Sequence, residues 1–303
     1  MIIFDTDIGL GTPRAEIDDG AALIMLLRGL GDEVAAITAV HGNTTQNNVI
    51  HNTRRLLSYL EREDIPLGRG AAHGLIEDKA WFAEWQAEYG ETPTWPAEPA
   101  LPLAAPLIVE TVQQNPGKVT ILAVGPLTNL ALALRLAPDI VGKVKQIVAM
   151  GGSFGQTELR PEFNAACDPE AAQAVLTAGW PIQLIGLNIT KQIPFSRAFF
   201  ASLADDNLAT ALLKQQAPGW IARVEAMGWG ADDCSLHDAL AVAAAMEPRL
   251  FTWEKTAVSV DLHPTEMRGV THMLPPQAGK PTLEVATAVD VDACRALIEK
   301  YLK

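Results

Sequence analysis

Short apolar runs alternate along the chain with longer stretches in which apolar residues recur at helical spacing. The short runs predict β-strands at Ile2–Phe4, Val34–Val40, Val119–Val124, Gln146–Met150, Ile182–Leu187, Ala257–Leu262 and Leu283–Ala288. The longer stretches predict α-helices at Asp19–Arg28, Gln46–Glu61, Ala105–Gln114, Leu127–Leu136, Pro169–Ala178, Ser196–Leu203, Asn207–Glu225, Leu236–Ala245 and Val291–Leu302. This alternation is typical of an α/β protein in which helices cover a mostly parallel sheet.

The pattern continues through the chain without a break that would separate two domains. The sequence contains no internal repeat and no linker rich in glycine, serine or proline. A length of 303 residues fits either two domains or one large α/β domain. We therefore predict a single domain that spans residues 1–303.

Charge and cysteine content narrow the class of protein. With 23 basic and 36 acidic residues, the net charge is −13, which argues against nucleic acid or an anionic membrane surface as a partner. The N-terminus reaches a carboxylate at Asp5 and is no signal peptide, and no stretch has the ~20 apolar residues of a membrane span. The three cysteines lack the spacing of a disulfide framework or a zinc site. We predict a reduced, cytoplasmic protein that binds a small ligand or a metal.

Polar residues directly after the predicted strands are the candidates for chemistry, because ligands of open α/β sheets bind outside the carboxyl ends of the strands. The first strand leads into Asp5 and Asp7, and Asp18 and Asp19 open the next helix. Capping of the helix N-terminus is a sufficient explanation for Asp18 and Asp19, but not for Asp7. Clustered carboxylates without histidine or cysteine suit a hard cation such as Ca²⁺ or Mg²⁺.

Further polar groups follow the other predicted strands, and two more lie in a loop and at a helix start later in the chain. They are His41-Gly42-Asn43, Gly125-Pro126-Leu127-Thr128-Asn129, Met150-Gly151-Gly152, Glu162-Phe163-Asn164 and His237-Asp238. Most of them, taken alone, are explained as well by a turn or a helix cap, and Asp168 needs no role beyond capping the helix that it precedes. Asp238, at the start of a helix that we expect to be buried, needs a polar partner.

Together and in this order, these motifs resemble the inosine-uridine-preferring nucleoside hydrolase family. The resemblance runs from residue 2 to about residue 245 and includes Asp168-Pro169-Glu170-Ala171-Ala172. It implies an open α/β domain with a mixed, mostly parallel sheet and helices on both faces. It also implies an enzyme of nucleoside catabolism and salvage, a homodimer or homotetramer that hydrolyses the N-glycosidic bond of ribonucleosides to ribose and free base.

The resemblance also assigns roles to residues. It implies a Ca²⁺ ion held by the carboxylates of Asp7, Asp19 and Asp238 and the backbone carbonyl of Val124, with Asp7 as the general base that activates a metal-bound water. His237 would face the base and is the histidine that a motif places to donate a proton to it. The substrate-binding positions would be Asp18, Asn43, Met150, Gln156, Glu162, Asn164 and Asp238. The chemistry agrees, because acidic groups stabilise the positive charge that develops on the sugar ring.

The chain departs from the family pattern between the two halves of the metal motif. Seven additional residues, Leu10–Glu16, separate Gly9 from Ile17. Two interpretations compete: the insertion forms part of the pocket rim, where Arg14 or Glu16 selects the substrate, or it is a surface excursion.

Aromatic residues and one amide mark two further departures. Trp81, Phe82 and Trp85 stand where relatives carry a His-x-His-Gly signature, and they either stack on a base or, as we favour, form one packed helix face. Gln156 stands where relatives have asparagine. Trp220 and Trp229 precede His237 in the region where relatives place aromatic base contacts, so the sequence leaves the preferred base open.

Two other functions compete with this interpretation. Ile2–Asp7 also resembles the strand and Asp-x-Asp motif of haloacid-dehalogenase-type phosphatases, but Thr190-Lys191, the one obvious Thr-Lys downstream, has no acidic pair after a following strand. A non-catalytic nucleoside- or sugar-binding relative would explain the insertion. The presence of Asp7, Asp19 and Asp238 argues against it.

Overall fold

The computed structural model describes residues 1–76, 100–155, 160–205 and 207–303. The strands in these ranges are β1 (Ile2–Thr6), β2 (Val34–Ala39), β3 (Leu67–Arg69), β4 (Thr120–Ala123), β5 (Gln146–Met150), β6 (Ile182–Ile185), β7 (Pro194–Ser196), β8 (Asp233–Ser235), β9 (Phe251–Val260), β10 (Thr271–Leu274) and β11 (Leu283–Val289). The α-helices are Asp18–Leu30, Gln46–Tyr59, Ala104–Gln114, Thr128–Leu136, Phe163–Cys167, Pro169–Leu176, Leu187–Thr190, Arg197–Ala201, Leu208–Ala226, His237–Met246 and Val291–Leu302.

The central sheet is mixed but mostly parallel, as predicted. In the described part of the chain it has nine strands in the order β10-β9-β11-β6-β5-β4-β1-β2-β3. All neighbours from β11 to β3 are parallel, whereas β9 runs antiparallel to both β11 and β10. β7 and β8 form a separate antiparallel pair.

Helices cover both faces of the sheet because successive side chains of a strand point to opposite sides. Ile2 and Phe4 of β1 pack into one core layer with helix Asp18–Leu30, whereas Ile3 packs into the other with helices Ala104–Gln114 and Thr128–Leu136. Every residue of β1 is buried, as expected for a central parallel strand.

Differences from the predicted elements concentrate at the edges of the sheet. The apolar pattern does not predict β3 or β10, which are three and four residues long and form the two edges. β9 begins at Phe251 rather than at Ala257 because its first half carries the exposed Glu254 and Lys255, which mask the strand signal. Leu187, predicted to end a strand, begins a short helix.

The described residues include no helix that is both long enough and apolar enough to cross a membrane. Cys167, Cys234 and Cys294 are buried and form no disulfide, in agreement with their spacing.

The inserted residue Leu10 packs against the helix that carries Asp18 and Asp19. Leu10 is fully buried, and a Cβ built on Gly20 would lie 2.4 Å from its Cδ2 atom and 2.5 Å from its Cβ atom. Only glycine therefore fits at position 20 while Leu10 occupies this place.

We expect Gly20→Ala to lower the free energy of unfolding by about 1–3 kcal/mol, because it overpacks the contact with Leu10. Gly219→Ala is the matched control: it lies in helix Leu208–Ala226, a Cβ there meets nothing within 4 Å, and we expect a gain of roughly 0.5–1 kcal/mol. Urea unfolding of both variants measures the difference. Equal stability of the two variants would contradict the close packing of Leu10 against Gly20.

Candidate active site

The carboxyl ends of neighbouring parallel strands converge in one region. The register pairs Asp5 of β1 with Thr38 of β2 and with Ala123 of β4, so the residues that follow these strands lie side by side. The residues at or just after the ends of β1, β2, β4 and the neighbouring β5 include Asp7, Gly42, Asn43, Val124, Gly125 and Met150. The parallel register thus brings together motifs that are far apart in the sequence.

The carboxylate of Asp7 lies between two glycines. Its Oδ2 atom accepts a hydrogen bond of 2.7 Å from the backbone N–H of Asn43. A Cβ on Gly42 would lie 1.8 Å from Oδ2, and a Cβ on Gly125 would lie 2.7 Å from Oδ1. Both glycines therefore leave room for this carboxylate, whose Oδ1 atom is buried and has no hydrogen-bond partner among the described residues.

Asp19 is held by three donors around the end of β1. Its Oδ1 atom accepts hydrogen bonds from the Thr6 hydroxyl at 2.5 Å and from the Asp7 backbone N–H at 3.1 Å. Its Oδ2 atom accepts one from the Asn43 side-chain amide at 2.7 Å. The Oδ1 atom of Asn43 is buried without a hydrogen-bond partner in the described chain, so a second oxygen of this region is left for a ligand.

Asp18, Asp19 and Asp238 form a tight group. Each offers a carboxylate oxygen, and these oxygens all lie within 4.8 Å of one another. Ile17 occupies the N-cap position and makes no side-chain cap, while the Oδ1 atom of Asp18 accepts a bond from the Asp19 backbone N–H at 3.0 Å. Helix capping therefore does not account for the group, which also includes Asp238 from another helix.

Burial and mutual repulsion make this group unstable as bare carboxylates. Burial, followed by the charge of Asp19, raises the pKa of both Asp7 and Asp18 well above the ordinary range. Burial and the charges of Asp18, Asp19 and Asp7 do the same to the pKa of Asp238. A hard cation would offset this repulsion, and the all-oxygen donors together with the two unpartnered oxygens, Asp7 Oδ1 and Asn43 Oδ1, fit such an ion.

Asn164 ties the ends of β4 and β5 together. Its side-chain amide donates to the carbonyl of Val124 at 2.7 Å and, more weakly, to that of Met150 at 3.4 Å. The structure thus brings the predicted residues Val124, Met150 and Asn164 into contact. Val124 would have to share its carbonyl between this amide and a cation.

Glu162 has a structural role that the sequence motif alone does not reveal. It caps helix Phe163–Cys167, accepting hydrogen bonds from the backbone N–H groups of Asn164 at 2.8 Å and of Ala165 and Gly152 at 3.2 Å. Burial raises the pKa of Glu162, and these N–H groups partly oppose the rise. The carboxylate therefore connects the glycine-rich end of β5 to the site.

His237 is oriented by a hydroxyl that the motif does not contain. Its Nδ1 atom lies 2.7 Å from the Oγ1 atom of Thr190. Burial, followed by the charge of Lys191, lowers the pKa of His237 to about 4, so the imidazole is neutral at pH 7. If Thr190 donates to Nδ1, the Nε2–H group is left for a substrate.

We expect the ratio of kcat/KM between the wild type and His237→Asn to be constant from pH 5.5 to 8. The lowered pKa means that His237 loses its proton near pH 4, so its charge does not change in this window. The shorter asparagine side chain does not reach the position of the Nε2–H group, and loss of the donor there should cost about 10-fold at every pH in the window. A ratio of wild-type to His237→Asn kcat/KM that falls tenfold per pH unit would instead mean that the protonated, cationic imidazole of His237 acts as the acid.

The inserted segment Leu10–Glu16 folds inward over much of its length. Leu10, Thr12 and Ala15 are buried, whereas Pro13 and Arg14 are exposed. The Asn52 amide donates to the carbonyl of Ile8 and to the Thr12 hydroxyl, both at 3.0 Å, and the Gly11 N–H donates to the Gln216 side chain at 2.8 Å. The segment is therefore packed into the fold rather than a surface excursion.

The remaining aromatic and amide predictions separate into three cases. Trp220 is buried in the core, and Trp229 is 63% exposed. Gln156, Trp81, Phe82 and Trp85 lie outside the described residues. Sequence reasoning missed Thr6 and Thr190, since a lone hydroxyl beside a motif has no distinctive spacing.

Comparison with known proteins identifies a family whose members resemble almost the whole chain. The profile of the inosine-uridine preferring nucleoside hydrolases matches residues 2–296. The chain is 32% identical over 269 residues to a probable uridine nucleosidase 2 of Oryza sativa, covering 86% of this chain and 78% of that protein. It is 31% identical over 277 residues to the pyrimidine-specific ribonucleoside hydrolase RihA of Citrobacter koseri, covering 89% and 86%.

Solved structures show the same fold. A plant nucleoside hydrolase superposes with a TM-score of 0.84 at 29% identity, covering 99% of this chain and 98% of the other. A purine-preferring ribonucleoside hydrolase of Gardnerella vaginalis superposes with a TM-score of 0.85 at 26% identity, covering 99% and 97%. The chain therefore belongs to the inosine-uridine preferring nucleoside hydrolase family and is an N-glycosidase.

Proposed function

We propose that the protein hydrolyses the N-glycosidic bond of ribonucleosides to ribose and free base, with a Ca²⁺ ion bound in the aspartate cluster. By this name we mean Asp18, Asp19 and Asp238 together with the neighbouring Asp7. The observation that carries this proposal is the pair of buried, unpartnered oxygens, Asp7 Oδ1 and Asn43 Oδ1, beside three aspartates whose oxygens lie within 4.8 Å of one another. Buried polar atoms without partners are rare in proteins unless a ligand or ion satisfies them.

The residues that would hold the ion are Asp7, Asp19 and Asp238, with the carbonyl of Val124. The proximity of Asp18 to Asp19 and Asp238 adds a further carboxylate at this place. When bound, Ca²⁺ supplies Lewis-acid chemistry, polarising an attacking water and the sugar hydroxyls. Seven or eight oxygen ligands are common for Ca²⁺, which leaves positions for water and substrate.

Asp7 accepts the proton of the attacking water. The Asn43 N–H and the close approach of Gly42 and Gly125 fix the orientation of its carboxylate toward the ion and the attacking water. As the bond to the base breaks, positive charge develops on the ribose ring. The surrounding carboxylates stabilise that charge more than the neutral substrate, which lowers the barrier.

The other residues position the substrate. Met150 lines the ribose pocket, and His237, held by Thr190, donates its neutral N–H to the departing base. The residues that hold the ribose hydroxyls are Asp18, Asn43, Glu162, Asn164 and Asp238. Gln156, which lies outside the described residues, would complete this set.

Relatives differ in the nucleosides that their names specify: one is named for uridine, one for pyrimidine ribonucleosides and one for purine ribonucleosides. We infer a role in nucleoside catabolism and salvage, carried out in the cytoplasm by a homodimer or homotetramer. No nucleic acid or membrane partner is required.

Release of reducing sugar from inosine, adenosine, guanosine, uridine and cytidine tests the proposal. We expect ribose from at least one nucleoside, loss of activity in excess chelator, and recovery when Ca²⁺ is restored. Binding of a nucleoside without release of sugar would support the non-catalytic alternative. Recovery with Mg²⁺ but not Ca²⁺ would overturn the choice of ion.

The phosphatase alternative conflicts with the surroundings of Asp5. Its Oδ1 atom accepts hydrogen bonds from the Thr38 hydroxyl at 2.5 Å and from the Asn129 amide at 2.7 Å, and the residue is fully buried. Burial raises the pKa of Asp5 to about 7 despite these bonds. Asp5 is thus built into the sheet and is a poor nucleophile.

A further inference from the structure

Alternate residues of β1 face opposite sides of the sheet, and this separates the two polar side chains at its end. Phe4 packs into the core layer that contains helix Asp18–Leu30, so Thr6, two residues later, faces the same helix. Ile3 packs into the opposite layer, so Asp5 faces away from that helix. Thr6 is therefore the side chain of β1 that reaches the aspartate cluster.

The hydroxyl of Thr6 is committed to Asp19. Both residues are fully buried, and the hydroxyl donates to the Oδ1 atom of Asp19 at 2.5 Å. The same Oδ1 atom accepts the Asp7 backbone N–H at 3.1 Å, and the Oδ2 atom accepts the Asn43 side-chain amide at 2.7 Å. A hydroxyl carries a single proton, so the Thr6 donor serves this carboxylate alone.

The three donors divide the two oxygens of Asp19 between the fold and a ligand. An ionised carboxylate offers about four lone-pair positions, of which Oδ1 uses two for its two donors and Oδ2 uses one. The position that remains for a cation is therefore on Oδ2. Thr6 keeps that position in place by holding Oδ1, because the carboxylate then does not rotate about its Cβ–Cγ bond.

Thr6 acts through Asp19 and not on the ion itself, since its proton points at Oδ1. The loss of a side chain that orients a metal ligand in this way lowers metal affinity by about 10–100-fold in proteins. The Asp7 N–H forms the longer of the two bonds to Oδ1 and comes from the backbone, so no substitution removes it. The Thr6 hydroxyl is the donor at Oδ1 that can be removed without changing Asp19.

We propose that Thr6 is a positioning residue, which holds the Asp19 carboxylate in the orientation in which it binds the Ca²⁺ ion. The inference rests on the proposed function, which places the ion at Asp19, and deepens it. The hydroxyl and not the volume of the side chain carries the effect, because a threonine-shaped side chain without a donor fills the same space and leaves Oδ1 with one bond fewer.

Thr6→Val and Thr6→Ser separate the hydroxyl from the volume of the side chain. Competition of the Ca²⁺-loaded protein with a fluorescent calcium chelator measures Kd for each variant. We expect Thr6→Val to bind Ca²⁺ about 10–100-fold more weakly than the wild type. Thr6→Ser keeps the donor and should bind within roughly threefold of the wild type.

Thr38→Val is the matched control from the neighbouring strand. Thr38 is also fully buried, and its hydroxyl donates to the Oδ1 atom of Asp5 at 2.5 Å, on the other face of the sheet. Both valine variants should unfold at lower urea concentration than the wild type in chelator, because each leaves a buried carboxylate short of one donor. Thr38→Val should keep Kd for Ca²⁺ within roughly threefold of the wild type, because Asp5 lies outside the aspartate cluster.

If Thr6→Val does not fold, Thr6→Cys takes its place, since a thiol is a weak donor and should give a Kd between those of wild type and a full loss. Equal Kd values for the Thr6 and Thr38 variants, or a Thr6→Ser variant that binds as weakly as Thr6→Val, would show the inference to be wrong while the proposed function stands. A wild type that binds Ca²⁺ but releases ribose from no nucleoside overturns the proposed function alone, because the comparison of Kd values does not depend on activity. A wild type that binds no Ca²⁺ overturns both.

Discussion

Asp7→Asn is expected to lower kcat by about 10²–10⁴-fold while KM stays within a few fold. The amide keeps the shape of the carboxylate between Gly42 and Gly125, so the fold should persist. It can no longer accept the proton of the attacking water, and it removes one negative charge next to the developing positive charge on the sugar. Steady-state release of ribose from the best nucleoside measures both parameters.

A buried aspartate outside the cluster provides the control for Asp7. Asp168 caps helix Pro169–Leu176 and accepts hydrogen bonds from the Ala171 N–H at 3.0 Å and the Thr128 hydroxyl at 2.7 Å. Asp168→Asn should cost stability and leave kcat within a few fold, because asparagine also caps helices. Comparable kcat values for the two variants would mean that another group takes the proton.

Asp19→Ala is expected to abolish the stabilisation of the fold by Ca²⁺. An ion that binds only the native state adds RT ln(1 + [L]/Kd), about 4 kcal/mol at a thousandfold excess over Kd. Without the Asp19 carboxylate, the remaining carboxylates lose the partner that the Thr6 and Asn43 donors orient. Chemical unfolding of each variant in chelator and in excess Ca²⁺ measures this difference, independently of activity.

Unfolding in chelator and in excess Ca²⁺ separates the loss of metal binding from the loss of stability that the substitution itself causes. Asp19→Ala also breaks hydrogen bonds, so it should unfold more easily than the wild type even in chelator. Asp168→Asn should keep the full response to Ca²⁺. A preserved response in Asp19→Ala would remove Asp19 from the ligand set.

For the wild type, the raised pKa values of Asp7, Asp18 and Asp238 mean that Ca²⁺ displaces protons, so its affinity should rise with pH.

The meeting of the strand-end motifs could be predicted from the sequence. The apolar pattern of each strand is local, but parallel strands place their carboxyl ends at the same edge of the sheet. Once β1, β2, β4 and β5 are recognised as neighbours, the residues after them must meet. Asp7 and Asn43 follow from this argument, whereas Asn164 follows only from the family resemblance. The short edge strands β3 and β10 do not, since three or four residues carry too little apolar pattern to be distinguished from a loop.

The course of the insertion could not be predicted, because residues far away in the sequence determine it. Gly11 is bound by Gln216, 205 residues later in the chain, and Thr12 is bound by Asn52. Gly20 accommodates Leu10 only because the segment folds inward. The residue types in Leu10–Glu16 do not identify these partners.

The two ends of the insertion meet, since a Cβ on Gly9 would lie 2.4 Å from the Glu16 carbonyl oxygen, and this contact has a consequence for how this family can diversify. A segment whose two ends touch is a closed loop, so its length and composition can change without redirecting the chain on either side. Asp7 follows β1 and Asp18 begins helix Asp18–Leu30, so these two elements rather than the loop determine where the two carboxylates lie. Replacing this loop would therefore leave the chain on either side in place, but a replacement must also fill the space of Leu10 against Gly20 and satisfy the side chains of Asn52 and Gln216.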